Sequence, residues 1–205
     1  MKRLVLETLE VLLIALAIFF AIHFMLQNFR IEGSSMEPNL LDGQYVLVLK
    51  TPYWFGNNPS RGEIIVAHHP TGGEDVIKRV IGLPGETVEV KRDGSVYIDG
   101  QKIEEPYISS PPGMPHPAEV VPPNNYFVMG DHRDVSADSR VWGTVPRNDV
   151  VGRAWVIIWP MHDWGFAPNR AIEFESSTSA LQPAYPKLMD NPHKAPILDL
   201  KFDIN

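Results

Sequence analysis

A long apolar stretch at the N-terminus predicts a membrane-spanning helix. Residues 4–26 are mostly hydrophobic, with Glu7 and Glu10 among the few interruptions, and a helix needs only about 20 apolar residues to cross a bilayer. Lys2 and Arg3 precede the stretch, and basic residues favour the cytoplasmic side of a membrane. We therefore expect a single-pass anchor with a cytoplasmic N-terminus, which places the rest of the chain outside.

Two other interpretations of this stretch stay open. A cleavable secretory signal has the same basic start, but it ends at a small-x-small cleavage site, whereas residues 24–28 read Phe-Met-Leu-Gln-Asn. A buried core helix is the second interpretation, because Glu7 and Glu10 lie near one end of the span. We favour the uncleaved anchor over both.

After Arg30 the hydrophobic pattern shortens and becomes typical of β-strands. Short apolar runs rich in β-branched residues alternate with Gly, Pro and Asn, and no helical period separates them. This pattern predicts a mainly β protein, in which the N-terminal transmembrane helix is followed by an antiparallel β-sheet or barrel-like domain. The predicted strands are residues 44–49, 63–67, 75–82, 86–90, 95–98, 125–129 and 150–159.

Proline and polar residues divide the rest of the chain. Prolines interrupt regular pairing in residues 109–123, so we expect an extended loop there. The chain becomes polar and rich in proline after Trp164, which predicts a poorly ordered or loosely packed tail. The expected organisation is an anchor at residues 1–28, a β domain at residues 29–165 and a tail at residues 166–205.

Composition and charge exclude several kinds of site. Lysine and arginine number 18 against 25 aspartates and glutamates, for a net charge of −7, so the chain has no basic footprint for nucleic acid. The chain has no cysteine, which excludes disulfides and a thiolate nucleophile. The histidines lack the spacing of metal ligands. We therefore expect no nucleic acid partner, metal or cofactor.

A short loop after the anchor has the composition to present a nucleophile. Residues 33–38 read Gly-Ser-Ser-Met-Glu-Pro and place two hydroxyls beside a glycine. Glycine permits a close approach of the backbone to a ligand, and the proline disfavours helix before it. The serines are therefore expected on an accessible loop. An ordinary turn has the same composition, so this loop alone leaves both interpretations open.

A lysine in an apolar strand is the second unusual feature. In residues 75–82, Lys78 and Arg79 point to opposite faces, so one of them points to the apolar side. Burial disfavours the ammonium form and lowers the pKa of a lysine from about 10.4 toward neutrality, where the amine is a useful base. A solvated edge strand that carries both residues is the alternative.

Residues 130–143 form the third feature, a run of acids, arginines and serines between two glycines. Arg-carboxylate pairs and hydrogen bonds from side chains to the backbone would make such a loop rigid, although a solvated charged loop has the same composition. His132 lies in this run, and nothing in the sequence marks it as a general base.

Taken together, these three segments behind an N-terminal anchor resemble the type I signal peptidases, which are membrane-anchored serine proteases with a Ser-Lys dyad. The nucleophile motif of the family, Gly-x-Ser-Met-x-Pro, matches residues 33–38. The lysine motif matches residues 77–86, and the glycine-aspartate motif matches residues 130–140. The resemblance extends to about Trp164, and the tail after Phe166 matches nothing in the family.

The resemblance implies a role for each matching residue. Ser35 takes the place of the nucleophile and Lys78 that of the general base, with Ser136 orienting the lysine amine. Gly33 stands where some members carry a serine that donates to the oxyanion, so this oxyanion hole would rely on backbone N–H groups such as those of Ser35 or Gly33. The residues expected to support the dyad and its loop are Arg79, Gly130, Asp131, Asp138 and Arg140.

The resemblance also implies a substrate and a location. Members of the family remove signal peptides from exported preproteins at the outer surface of the plasma (inner) membrane, without metal or cofactor. The implied partners are signal-peptide-bearing preproteins and the lipid bilayer, with the chain itself a monomer. Aromatic residues that would line either the membrane interface or the core are Trp54, Phe55, Trp155, Trp159 and Trp164.

Three alternatives to this function stay open. A self-cleaving repressor shares the Ser-Lys chemistry but carries a basic DNA-binding domain before the serine, where this chain has an apolar span. An organellar inner-membrane peptidase is a nearer relative. A catalytically inactive, membrane-tethered β domain that only binds partners belongs to a different class.

Overall fold

The N-terminal apolar stretch forms one continuous helix. A computed structural model describes residues 2–110 and 113–175, in which helix α1 spans Lys2–Met25. The segment Leu6–Met25 is long and apolar enough to cross a membrane, and none of the apolar window is buried within the protein. The predicted helix is confirmed, but it stops short of residue 28, because residues 26–28 pair in a sheet.

The described chain after α1 is mainly β-structure. Its strands are β1 (Leu26–Arg30), β2 (Tyr45–Leu49), β3 (Ile64–Ala67), β4 (Val76–Gly82), β5 (Thr87–Val90), β6 (Val96–Ile98), β7 (Gln101–Lys102), β8 (His116–Val120), β9 (Asn125–Met129), β10 (Val145–Pro146), β11 (Val150–Trp159) and β12 (Gly165–Phe166). Helix α2 spans Ser139–Trp142, and short 3-10 helices span Thr51–Gly56, Arg147–Asp149 and Met161–Asp163.

These strands form two antiparallel sheets. The larger sheet has the order β1-β2-β11-β3-β4-β9-β10, with β12 paired to β11, and the smaller has the order β7-β6-β5-β8. Register shifts interrupt the pairing of β11 with both of its neighbours, and such bulges bend a strand. The predicted mainly β, antiparallel class is confirmed.

Seven strands lie where the hydrophobic pattern placed them, namely β2 to β6, β9 and β11. The pattern missed β1 because only Leu26 and Phe29 of its five residues are apolar, and because it follows α1 without a Gly or Pro turn signal between them. It also missed β7, β10 and β12, which have two residues each, because two residues carry no detectable alternation. Pairing with longer neighbours is what makes these short segments strands.

The prediction of an irregular loop at residues 109–123 was wrong in part. Strand β8 lies inside this segment and pairs with β5, through Thr87 opposite Val120 and Val90 opposite His116. Pro117 falls at the register shift in this pairing, and β8 is an edge strand of the smaller sheet. Edges and bulges are the two places in a sheet where proline is tolerated.

The β domain extends past its expected end at residue 165. Ala167 is buried and its N–H donates to the carbonyl of Trp155 at 2.8 Å. Further along, the side chain of Asn169 accepts a hydrogen bond from the backbone N–H of Ile64 at 2.7 Å and donates to the carbonyl of Ala154 at 2.8 Å. Residues 165–175 therefore pack on the domain, whereas the rest of the expected tail, residues 176–205, lies outside the described residues.

Three groups of buried hydrophobic residues form the core, and the second one holds the loop between β1 and β2. In that loop, Met36 and Leu40 are fully buried against β2, β3 and β11. Burying side chains of this size contributes about 1.5–3 kcal/mol each to folding. Met36 and Leu40 thus hold the backbone of the intervening and preceding residues, including Ser35, against the larger sheet.

Candidate active site

Ser35 and Lys78 meet although 43 positions separate them in the chain. The Nζ of Lys78 donates to the Oγ of Ser35 at 2.8 Å and to the carbonyl of Ile77 at 3.1 Å. Lys78 lies in β4, which is an inner strand of the larger sheet between β3 and β9. The solvated edge strand considered for Lys78 is therefore ruled out, and the lysine is buried instead, with 5% of its surface exposed.

This burial changes the chemistry of the amine. Burial lowers the pKa of Lys78 from 10.5 to about 8, while the negative charges of Asp138 and Asp131 oppose the shift. The ammonium form is disfavoured because the surrounding protein replaces water that would solvate the charge. At neutral pH a usable fraction of Lys78 is therefore the free amine, which is the form that accepts a proton.

The loop that carries Ser35 is a compact turn. The N–H of Glu37 donates to the carbonyl of Ser34 at 3.1 Å. Gly33 has a positive φ of 85°, a conformation that favours glycine, and its N–H donates to Asp42 at 2.8 Å. The expectation that the Gly33 N–H serves the oxyanion hole is therefore not met, because the Asp42 carboxylate already accepts its hydrogen bond.

Arg79 is also buried, on the face of β4 opposite Lys78. Its guanidinium binds the carboxylate of Asp131 through two hydrogen bonds of 2.8 and 2.7 Å and lies 4.2 Å from the ring centre of Tyr107. The side chain of Asn39 donates to the same carboxylate at 2.9 Å. Asp131 thus connects β4 to both the loop after β9 and the loop of Ser35.

A second buried ion pair organises the loop after β9. The Nε and Nη2 of Arg140 each donate to the Asp138 carboxylate at 2.8 Å, and the N–H of Gly130 donates to the same group at 2.9 Å. Burial by itself would raise the pKa of Asp138, but the hydrogen bonds and charge of Arg140 hold the pKa below its usual range. Asp138 is therefore a carboxylate at neutral pH, and α2 begins directly after it.

Ser136 lies in the same loop but does not make the hydrogen bond to Lys78 that was expected of it. The structure contains no hydrogen bond from Ser136 to Lys78, whose Nζ is bonded to Ser35 and Ile77. The Oγ of Ser136 is buried near the Asp138 carboxylate, whose pKa it helps to lower, but it forms no hydrogen bond of good geometry with the described residues. It lies against Gly130, where a Cβ would overlap both Ser136 Oγ and the carbonyl oxygen of Ser35. Gly130 thus lets the two loops approach closely.

An open cavity of about 300 Å³ adjoins the Ser35–Lys78 pair. Its walls are residues 29–32, which run from β1 into the loop of Ser35, and residues 74–78, which lead into and include part of β4. The cavity therefore gives a ligand access to the Ser35 hydroxyl along two segments of extended backbone. Among the described residues, no group of three or more His, Asp or Glu side chains is placed to hold a metal ion.

Several contacts of the site had no signal in the sequence. Asn39 and Asp42 are ordinary loop residues by composition, and only the fold brings them to Asp131 and Gly33. The same is true of the buried pair between Arg133 and Glu105, which joins the loop after β9 to the segment after β7. Long-range partners of this kind leave no periodic pattern, so the sequence analysis did not name them.

Comparison with known proteins assigns the chain to a family. The model of the family described as signal peptidase, peptidase S26, matches residues 4–159, which is most of the chain. The chain therefore belongs to the signal peptidase family, a family of peptidases.

Two relatives agree with this assignment by sequence. A probable signal peptidase I-1 from Synechocystis sp. is 40% identical over 181 residues, covering 81% of this chain and 91% of the relative. A signal peptidase I from Leptolyngbya laminosa is 46% identical over 143 residues, covering 66% of this chain and 70% of the relative. A crystal structure of a signal peptidase I from Enterococcus faecalis is 37% identical, with a TM-score of 0.43 and coverage of 47% of this chain and 97% of that one.

Proposed function

We propose that this chain is a signal peptidase I that cleaves signal peptides from exported preproteins with Ser35 as nucleophile and Lys78 as general base. The observation that carries the proposal is the 2.8 Å hydrogen bond between Lys78 Nζ and Ser35 Oγ, made by a lysine whose pKa burial lowers to about 8. A nucleophile within hydrogen-bond reach of a base is the arrangement that covalent catalysis requires.

The reaction follows from this geometry in two halves. The neutral amine of Lys78 takes the proton of Ser35 while Oγ attacks the scissile carbonyl, and the resulting ammonium returns the proton to the leaving amine. At this stage the signal peptide is linked to Ser35 Oγ through an ester bond, and the mature protein has left as the amine. Water attacks this ester as Lys78 again accepts a proton, and the acid product leaves with Ser35 restored.

The oxyanion formed in each half needs a hydrogen-bond donor. The backbone N–H of Ser35 makes no hydrogen bond with any described residue, so it is available, whereas the N–H of Gly33 is bound to Asp42. We assign the Ser35 N–H as the oxyanion donor. Loss of one such donor typically costs about 3 kcal/mol in transition-state stabilisation.

The order of elements supports a site at the outer membrane surface. Helix α1 continues into β1, and the residues that follow β1 line the cavity beside Ser35. We propose that α1 crosses the plasma membrane once with its N-terminus in the cytoplasm, in keeping with Lys2 and Arg3 before the apolar segment. The site would then face the end of a signal peptide as it leaves the bilayer. The monomeric state stays a prediction.

Mutation of the dyad tests the proposal. The full chain in detergent is incubated with a preprotein, and release of the mature protein is followed on a gel. We expect Ser35→Ala and Lys78→Ala each to abolish cleavage, because one removes the attacking oxygen and the other the base that takes its proton.

Ser34→Ala is the matched control. Its hydroxyl lies one residue from Ser35 and makes no side-chain hydrogen bond with the described residues, so cleavage should persist. Undiminished cleavage by Ser35→Ala or Lys78→Ala would overturn the dyad. A wild-type chain that binds the preprotein without cutting it would favour the tethered binding domain.

A further inference from the structure

His132 contacts two consecutive carbonyl groups of the loop that carries Ser35. Its backbone N–H donates to the carbonyl of Ser35 at 3.0 Å, and its ring Nδ1 lies 3.2 Å from the carbonyl oxygen of Ser34. A carbonyl oxygen can only accept, so Nδ1 carries the proton in this contact. The other ring nitrogen, Nε2, lies 3.2 Å from the carboxylate of Asp134.

The contact with Ser34 bears on Ser35 because of peptide geometry. The carbonyl of Ser34 and the N–H of Ser35 belong to one planar, trans peptide unit and point in opposite directions. A donor that holds the Ser34 carbonyl therefore sets the direction of the Ser35 N–H. The N–H of Glu37 already holds this carbonyl at 3.1 Å, and His132 supplies a second donor from the opposite loop.

We propose that His132 is a positioning residue of the oxyanion hole, which orients and polarises the Ser34–Ser35 peptide so that the Ser35 N–H donates to the developing oxyanion. This inference rests on the proposed function, since it assumes attack by Ser35. Donors to the carbonyl end of a peptide withdraw charge and strengthen the N–H at the other end. A peptide held in place before the reaction also needs no reorganisation as the oxyanion forms.

The close approach of the two loops supports this role. Gly130 lies two residues before His132, and a Cβ there would overlap the Ser35 carbonyl oxygen. The carboxylate of Asp138, which is held by Arg140, accepts from the N–H of Gly130 at 2.9 Å. The buried Asp138–Arg140 pair therefore positions the backbone from which His132 reaches the loop of Ser35.

Two substitutions of similar shape separate a hydrogen-bond role from a packing role. In His132→Asn the amide Nδ2 is bonded to Cγ, as Nδ1 is in histidine, so a donor is kept near the Ser34 carbonyl. His132→Leu has nearly the shape of the asparagine variant but has no donor. We expect His132→Leu to lower kcat about five- to tenfold with little change in KM, the range of one hydrogen bond, and His132→Asn to recover most of that loss.

A pair of peptide inhibitors provides a readout that packing alone would not move. The carbonyl carbon of a substrate-like peptide aldehyde is attacked by the Ser35 oxygen and forms a covalent tetrahedral adduct. The matching peptide alcohol binds non-covalently. We expect His132→Leu to weaken the binding of the aldehyde by about the same factor by which it lowers kcat. The affinity for the alcohol should stay unchanged. Both variants are made in the full chain, and thermal unfolding in detergent checks that each is folded.

Each outcome decides the inference. Equal kcat for the leucine and asparagine variants, or equal losses of aldehyde and alcohol affinity, would overturn it. If His132→Leu does not fold, His132→Ala replaces it with the same expected ratios. Retained cleavage by Ser35→Ala would refute the proposed function itself, whereas an inactive Ser35→Ala beside a fully active His132→Leu would refute only the role of His132.

Discussion

Lys78 combines two properties that conflict in water. Its Nζ donates a hydrogen bond to the Oγ of Ser35, and in the proposed reaction its free amine accepts a proton from the same group. Burial brings the two forms close to balance, because it lowers the pKa to about 8 while Asp138 and Asp131 keep it from falling further. The two carboxylates do not contact the Lys78 amine through hydrogen bonds, so their effect acts through space.

The pH dependence of the reaction follows from this pKa. Lys78 must be unprotonated to accept the serine proton, so kcat/KM should rise with pH, by about tenfold per unit well below the pKa, and level off above about 8. Initial rates of preprotein cleavage from pH 6 to 10 would check this, because that range lies on both sides of the Lys78 pKa of about 8.

His132→Asn serves as the control for this profile. Asparagine does not titrate, so the midpoint should stay at about 8 if Lys78 is the base. A rise that disappears in the asparagine variant would reassign the base to His132.

At the level of elements, strand β4, which carries Lys78, and the loop after β9 are held together by a buried ion pair. Arg79 of β4 and Asp131 after β9 are both fully buried and share two hydrogen bonds. Arg79 also donates to the carbonyl of Gly62 at 2.8 Å and to that of Pro168 at 3.1 Å. One side chain therefore joins β4, the turn before β3, the loop after β9 and the segment after β12.

Removing this side chain should weaken the whole domain. Arg79→Met leaves the charge of Asp131 buried without its main partner, and breaking such a pair typically costs about 3–5 kcal/mol. We expect the free energy of unfolding to fall by that amount in a urea titration. The half-exposed pair of Lys102 and Glu175 provides the control, because Lys102→Ala removes only a solvent-screened contact and should leave the free energy of unfolding nearly unchanged. Similar effects of both variants would contradict the structural role of Arg79.

On the scale of the whole molecule, exposed aromatic residues cluster where β11 turns into β12. Trp159 and Trp164 of the expected aromatic group are 55% and 72% exposed, so they do not lie in the core. Phe166, which was not part of that group, is a further exposed aromatic residue of this segment, at 76%. Trp54 and Trp155 are also partly exposed, whereas the side chain of Phe55 lies outside the described residues. Exposed tryptophans are typical of surfaces that contact lipid headgroups.

This surface makes the domain itself a candidate for lipid contact. A chain that lacks residues 1–25 should bind phospholipid vesicles weakly, and Trp159→Ser with Trp164→Ser should reduce the bound fraction in a sedimentation assay, because the two indoles no longer enter the interface. Val120→Ser is the control, since Val120 is 60% exposed but belongs to the smaller sheet. An equal loss in the control would contradict a specific membrane-facing surface.

The sequence by itself determined the parts of this protein that depend on local pattern and short motifs. The apolar run of α1 and the alternating strands could be predicted because a helix span and a strand have characteristic periods. The motifs around Ser35 and Lys78 were identified by their resemblance to a known family. The segment at His116–Val120 was misread because its prolines argue against a strand, and only the edge position and the register shift permit one.

The tertiary structure alone decided how the site is assembled. The sequence left open which of Lys78 and Arg79 is buried, and the fold buries both, one against Ser35 and the other against Asp131. The fold also binds the Gly33 N–H to Asp42, leaves Ser136 without a hydrogen bond to Lys78 and brings His132 to the Ser34 carbonyl. These contacts join residues far apart in the chain, and their energy depends on distance and burial, which no local pattern encodes.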